Sequence, residues 1–271
     1  DAVNGSKKAV SRKFSYYNKT SGELKEEYLK DQKDNLNELT KVLDKTDKSI
    51  KELEKIKNAI QNKQDTDWND TKKIEEFINR QAQYEEMIQR QTDQLEKNLQ
   101  EQTVNKTLKE TKEELQKRIA EAKEMAEEEK LLDELQKLKE KLDKEGMLNK
   151  LEKIEKKNRR NQRTLERMLE LTKRFYVEQK LNQIKDNLEK LAEEQEELSK
   201  NNAEGNTEEK QEELNEKFEK VKEELKELDS QNKDLKRPMK LPDDSKKIEE
   251  IDSEQENALE ELGKQEQDKA K

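Results

Sequence analysis

The sequence predicts an all-α protein of long antiparallel helical hairpins and a coiled-coil bundle, preceded by a short amino-terminal β-strand remnant. Charged residues make up 47% and apolar residues 27% of the chain, whereas a typical globular domain has roughly 25% and 45–50%. The apolar residues recur at heptad spacing, which is typical of helices that pack along narrow stripes and not of a disordered chain. Only 5 Gly and 2 Pro occur in 271 residues, so we expect few breaks.

Residues 1–20 differ from the rest and predict the end of a β domain. Asn4-Gly5 is a frequent hairpin-turn dipeptide. After it, Val10, Phe14 and Tyr16 alternate with polar residues, which is typical of a strand. An isolated pair of strands is only marginally stable in water. We therefore expect the chain to begin at the end of a β domain whose other strands are missing.

Residues 23–102 predict a helical hairpin. Heptad-spaced Leu and Ile residues run from 24 to 63, and a polar break separates them from a second helix. Asp67 is a suitable N-cap for that helix. Trp68 is expected to cover the end of the hairpin, with contact to a partner as the alternative. Two helices joined by so short a connection pack as antiparallel neighbours. Three polar residues in the second stripe predict loose pairing at its middle: Gln81, Glu85 and Thr92.

Residues 107–236 predict a coiled-coil bundle with a bend near 143–147 and a loop at 201–207. Asn158 is a candidate N-cap for a helix that runs to about Lys200. The first half of this helix has apolar residues on more than one face, which predicts contacts with several neighbours and hence the centre of the bundle. We expect truncations there to destabilise more than truncation of Leu53. The predicted core residues are Leu165, Met168, Leu169, Phe175, Tyr176 and Val177.

The clearest heptad pattern lies between residues 214 and 235. Asn232 occupies one of its apolar positions, where a polar residue can fix the register or oligomeric state of a coiled coil. The alternative is fraying of the helix near Pro238, where a polar residue in the stripe costs little. Residues 237–244 form a Pro-containing linker, and 245–271 predict the start of a further helix. The pattern consists of Leu214, Phe218, Val221, Leu225, Leu228, Asn232 and Leu235.

The residue types argue against enzyme chemistry. The chain has no Cys and no His, so thiolate ligands and the usual general base are missing. Its carboxylates lie on predicted exposed helices, where nothing shifts their pKa values for catalysis. We therefore expect a protein that is not an enzyme and that binds no cofactor and no metal. The net charge of −9 and the lack of interleaved aromatic residues also argue against nucleic-acid binding.

A cluster of basic residues around Asn158 is the strongest local charge asymmetry. One interpretation is a docking surface for phosphate, a lipid headgroup or an acidic partner helix. The other is a solvated face balanced by the nearby Glu152, Glu155 and Glu166. Arginines directly after an N-cap oppose the helix dipole, so either the helix continues upstream through Asn158 or an acidic group lies there. The cluster consists of Lys156, Lys157, Arg159, Arg160, Arg163 and Arg167.

Several motifs occur in a characteristic order along the chain: Asn4-Gly5 with the following strand, Asp67-Trp68, and the segments 163–171, 177–181, 191–198 and 238–242. This order resembles a family of large, uncharacterised Bacteroidota proteins, known as a domain of unknown function. Members have membrane helices, Ig-like domains and then a long Glu/Lys/Gln-rich coiled-coil half. The resemblance implies an internal fragment of a periplasm-facing envelope protein, anchored in a membrane by segments outside this chain. The chain departs from the family at Arg159-Arg160, where acidic residues are expected.

These observations favour a non-enzymatic scaffold or protein-interaction segment of a cell-envelope protein. Its expected partners are other proteins of an envelope complex or further copies of itself. The alternative is a periplasmic holdase-like chaperone whose helical arms hold unfolded proteins. That function requires exposed apolar tips, whereas the connections at 61–70 and 201–207 are polar.

Overall fold

The computed structural model describes residues 2–4, 7–9, 18–64, 67–102, 106–127, 144–200 and 207–264. Two short strands, β1 (Ala2–Asn4) and β2 (Lys7–Ala9), pair antiparallel. The predicted strand at Val10–Tyr16 lies outside the described residues. The remaining described elements are helices, which confirms the all-α class: α1 Ser21–Gln61, α2 Trp68–Glu101, α3 Lys106–Glu127, α4 Lys144–Lys200, α5 Glu208–Lys233 and α6 Ser245–Gly263.

Capping interactions determine where the first two helices begin. Thr20 accepts a hydrogen bond from the Glu23 amide, and the Glu23 carboxylate accepts one from the Thr20 amide. Asp67 and Asp70 form the same reciprocal box at the start of α2, as the N-cap assignment of Asp67 predicted. Each box pairs amide groups that have no partner inside the helix.

The hydrogen bonds between α1 and α2 show how the two helices lie side by side. Tyr28, near the start of α1, donates to the carbonyl of Glu101 at the end of α2, over 2.9 Å. Ser49, further along α1, donates to Gln81, which lies nearer the start of α2, over 2.6 Å. Later residues of α1 therefore meet earlier residues of α2.

The longest helix, α4, packs closely against α1, α3 and α5, and its side chains also reach α2. One apolar cluster, around Leu53 and Phe77, joins the last turns of α1 and the first turns of α2 to the first turns of α4. Further clusters, around Val177 and Phe218, join the second half of α4 to α5. The largest cluster draws on four helices and contains Leu39, Val42, Ile88, Leu95, Leu99, Leu108, Leu115, Ile119, Ala122, Leu165, Met168 and Phe175.

The course of α4 corrects two predictions. The helix begins at Lys144, so residues 144–147 form its first turn rather than a bend, and Asp143 lies outside the described residues. It then continues without interruption through Asn158, which is therefore not an N-cap. The unbroken helix removes the conflict between Arg159-Arg160 and a helix dipole, since no helix begins there. Residues 128–143 of the predicted bundle and most of the loop predicted at 201–207 lie outside the described residues.

The segment after α5 folds back onto that helix. Asn232 is buried, donates to the carbonyl of Met239 over 2.9 Å and accepts from its amide over 2.8 Å. Its burial argues against fraying at this position, and the role of Asn232 in register or oligomeric state stays a prediction. The two hydrogen bonds tie the end of α5 to the segment that follows it. Apart from the half-buried Leu225, the apolar residues of the 214–235 pattern are all buried.

Candidate docking surface

A polar layer crosses the bundle at Asn158. Its side chain accepts from Gln81 Nε2 over 2.8 Å and donates to Gln81 Oε1 over 3.0 Å and to Ser49 Oγ over 3.3 Å. All three residues are buried, at 1–2% exposure. The prediction of loose pairing around Gln81 is therefore wrong, because Asn158 of α4 makes hydrogen bonds to the polar residues Gln81 and Ser49 of the hairpin. The layer sets the rotation of α4, which decides which of its charged residues face outward.

Two of the six predicted basic residues form ion pairs with other helices, one of them buried and the other exposed. Lys157 is buried at 6% exposure and pairs with Glu85 over 3.2 Å. Arg159 pairs with Glu54 of α1 and with Glu155 one turn back, over 2.5 and 3.0 Å. Hydrogen bonds from Lys57 and then from Arg159 lower the pKa of Glu155, against the opposing effect of burial. These two cations are compensated within the chain and are poorly placed for docking.

The other predicted basic residues form one exposed row, which we call the basic ridge. Its members lie at alternating steps of three and four residues, so they share one face of α4. Lys153, which the sequence analysis missed, extends the row by one turn. Lys156 pairs with Glu152 over 3.0 Å, but no described residue pairs with the three arginines. The basic ridge consists of Lys153, Lys156, Arg160, Arg163 and Arg167.

The arginines of the ridge have few acidic neighbours on their own helix. Arg160 has no acidic residue three or four positions away. Glu166 lies three residues after Arg163, and Glu170 lies three residues after Arg167. Both carboxylates also contact Lys236 of the segment after α5. Glu166 lies 3.9 Å from the Lys236 ammonium, and Glu170 accepts a hydrogen bond of 2.6 Å from the Lys236 amide. The ridge is therefore a local excess of positive charge on an acidic chain.

An exposed lysine row on α1 provides an internal comparison. Lys48, Lys51 and Lys55 have the same spacing as the three ridge arginines. Unlike the arginines, these lysines alternate with acidic residues of their own helix, among them Asp44 and Glu52. Arginine also binds carboxylate and phosphate through two parallel hydrogen bonds, which lysine cannot do. The ridge therefore differs from the lysine row of α1 not in spacing but in its arginine side chains and in having fewer acidic neighbours on its own helix.

The predicted core residues of α4 lie on several sides of that helix. Leu165, Met168 and Phe175 are at most 2% exposed and face the four-helix cluster. Val177 faces α5, and Tyr176 is buried at 7% exposure. Leu169 is only partly buried at the edge of the four-helix cluster. Burial raises the pKa of the Tyr176 hydroxyl.

Trp68 does not cover the end of the hairpin as predicted. Its side chain is 77% exposed, and its ring contacts Lys72, whose ammonium lies 5.5 Å from the ring centroid. The Asp67–Asp70 capping box already closes the start of α2, and Lys63 reaches both carboxylates over 2.7–2.8 Å. The polar interactions leave Trp68, at the first position of α2, directed into solvent.

Searches for other kinds of site in the described part of the chain give negative results. The described residues contain no group of three or more acidic side chains arranged to hold a metal ion. Among the described helices, none has the length and apolar character needed to cross a bilayer. Comparison with protein-family models, curated proteins and solved structures gives no match.

Proposed function

We propose that this chain is a non-enzymatic scaffold segment that holds a protein partner through the basic ridge of α4. The observation that carries the proposal is the row formed by Arg160, Arg163 and Arg167, exposed and without a partner among the described residues. A rigid helix presents these guanidinium groups at fixed spacing, which favours recognition of an acidic helix or acidic extended segment.

The packing around α4 supports a scaffold role. Apolar clusters and the Asn158 layer hold the helix on its inner faces, so the ridge does not need to become ordered when a partner binds. Preorganisation of this kind reduces the entropy lost on association. The charges mainly determine how fast and how specifically a partner docks, because exposed ion pairs each contribute little to affinity.

The finer architecture and the cellular location belong to the same proposal. We interpret α1 and α2 as an antiparallel hairpin that α4 converts into a bundle, and the β1–β2 pair as the end of a preceding β domain. The order of motifs described above supports a position in the cell envelope, facing the periplasm, with membrane anchoring by segments outside this chain. The partners would then be other proteins of an envelope complex.

The holdase alternative has weaker support. It requires an apolar surface at the tips of the helical arms. The large apolar side chains that are exposed in the described ranges are Trp68 and Ile251, at 77% and 41%. They lie on separate helices, and Lys72 occupies one face of the indole. Two isolated side chains do not form the contiguous patch that unfolded proteins bind.

Charge reversal tests the proposal. The ridge-reversal variant carries Arg160→Glu, Arg163→Glu and Arg167→Glu. The control variant carries Lys48→Glu, Lys51→Glu and Lys55→Glu, which changes the net charge by the same amount at the same spacing. Loss of three exposed pairs at about 0.5 kcal/mol each predicts roughly tenfold weaker binding by the ridge-reversal variant. The control variant should keep its partners.

The measurements are pull-down from native envelope and liposome flotation, with circular dichroism to verify folding. Each is performed at about 0.01 M and about 0.15 M salt, because screening shortens the Debye length from roughly 30 Å to 8 Å. Protein capture that the ridge reversal and salt both weaken supports the proposal. Capture of every protein by the ridge-reversal variant would refute it, and flotation without protein capture would reassign the ridge to anionic lipid.

A further inference from the structure

An acidic groove between α1 and α2 complements the basic ridge. The groove has a volume of about 460 Å³ and is lined on the α1 side by Asp31, Asp34 and Glu38. The α2 side contributes one cation, Arg90, which lies 4.0 Å from Glu86 of the same helix. Glu38 pairs with Lys41 over 2.6 Å, whereas Asp31 and Asp34 form no ion pair within the described ranges. Partial burial and then the neighbouring carboxylates Glu27, Asp34 and Glu101 raise the pKa of Asp31. Negative charge on this side of the groove is thus poorly compensated.

Two buried amide groups in the groove also lack partners. Asn35 and Asn98 are 3% and 4% exposed, and both line the groove. The Asn35 oxygen accepts a hydrogen bond of 3.1 Å from Gln91 Nε2. The Nδ2 of Asn35 has no acceptor. The Nδ2 of Asn98 is also unpaired. A buried donor without an acceptor costs about 1–3 kcal/mol, so the polar groups of the α1–α2 contact are incompletely satisfied along the groove.

The spacing of the groove matches that of the ridge. Asp31, Asp34 and Glu38 lie three and four residues apart, as do Arg160, Arg163 and Arg167. Each set therefore extends about 10 Å along its helix. If two such helices dock in parallel, each carboxylate faces one guanidinium group.

We propose that the basic ridge of one copy docks in the acidic groove of a second copy. The inference rests on the docking role proposed above and names the partner as the chain itself. Two copies related by a two-fold axis dock reciprocally, with each ridge in the groove of the other copy. Any other rotation leaves one ridge and one groove free, so further copies add successively into a ring or a row. Either assembly is a form that a scaffold can take.

Reciprocal charge reversal provides the test. The groove-reversal variant carries Asp31→Lys, Asp34→Lys and Glu38→Lys, and the swapped variant combines these with the three ridge substitutions. Sedimentation velocity of the whole chain is measured over a concentration series at about 0.01 M and about 0.15 M salt. The wild-type chain should form species heavier than the 32.3 kDa monomer at low salt. The Lys48, Lys51 and Lys55 control variant should do the same.

Ridge reversal alone and groove reversal alone should each leave monomers, because like charges then face each other. The swapped variant should associate again, and so should an equimolar mixture of the two single-surface variants. A wild-type chain that remains monomeric at every concentration would overturn the inference, as would single-surface variants that fail to associate when mixed. A monomeric chain whose ridge reversal still abolishes capture of other proteins overturns self-docking alone and leaves the proposed function in place.

Discussion

Replacement of Asn158 by alanine tests whether the polar layer, and not a helix cap, is the role of this residue. Asn158→Ala removes the acceptor that lies 2.8 Å from Gln81 Nε2. The remaining acceptor for that amide is Glu85 at 3.4 Å, which is too long for a good hydrogen bond. A buried donor left unsatisfied costs about 1–3 kcal/mol, so we expect a loss of about 2 kcal/mol in the free energy of unfolding.

Asn149→Ala is the matched control, since Asn149 is exposed on the same helix. Both variants gain the same helix propensity from alanine, so the difference between their unfolding free energies reports the polar layer. Chemical denaturation followed by circular dichroism measures both. The Gln81→Ala variant and the double variant complete a cycle in which we expect a coupling energy of about 1 kcal/mol. Equal stability of the Asn158 and Asn149 variants, or zero coupling to Gln81, would refute the reasoning.

Two further predictions concern truncations in the core and the loss of stability at acidic pH. Phe175→Ala and Leu53→Ala should each cost about 3 kcal/mol, because both side chains are fully buried; Leu169→Ala should cost less in the same denaturation experiment, and a larger loss there would contradict the packing. The Lys63 hydrogen bond and then the Asp70 amide lower the pKa of Asp67 from 3.8 to about 2. The ionised Asp67 carboxylate therefore stabilises the fold above pH 4, and this contribution disappears as the pH falls through 2. The melting temperatures of wild type and Asp67→Asn should converge below pH 2. A difference in melting temperature that stays constant with pH would contradict this.

Local signals explain which parts of the fold could be predicted. The capping box at Asp67 depends on residues within one turn, and the stripe at 214–235 depends on spacing alone, so both are visible in the sequence. Burial ranks Leu53 above Leu169, which is the reverse of the order expected from the sequence. Density of apolar residues along one helix indicates many contacts, but burial at Leu53 comes from Phe77 and Leu151 on other helices.

Tertiary context explains why Asn158 and the ridge were predicted less well. An asparagine among lysines and arginines has the same local pattern whether it caps a helix or lies in a polar layer. The difference depends on Ser49 and Gln81, which precede Asn158 in the sequence by 109 and 77 residues, respectively. Once α4 is recognised as continuous, helical phase alone separates the outward Arg160 from the inward Lys157. The acidic groove could not be predicted, because it forms only where α1 and α2 meet.

Photo-crosslinking at Arg163 in living cells tests the central claim, that the basic ridge is a docking surface. A photoreactive amino acid replaces Arg163 in the full protein, and in a parallel variant it replaces Lys185, which is exposed on the same helix and pairs with Glu189 over 3.4 Å. Irradiation should give a discrete protein adduct from position 163 that position 185 does not give. No adduct at position 163, or the same adducts at both positions, would contradict the account.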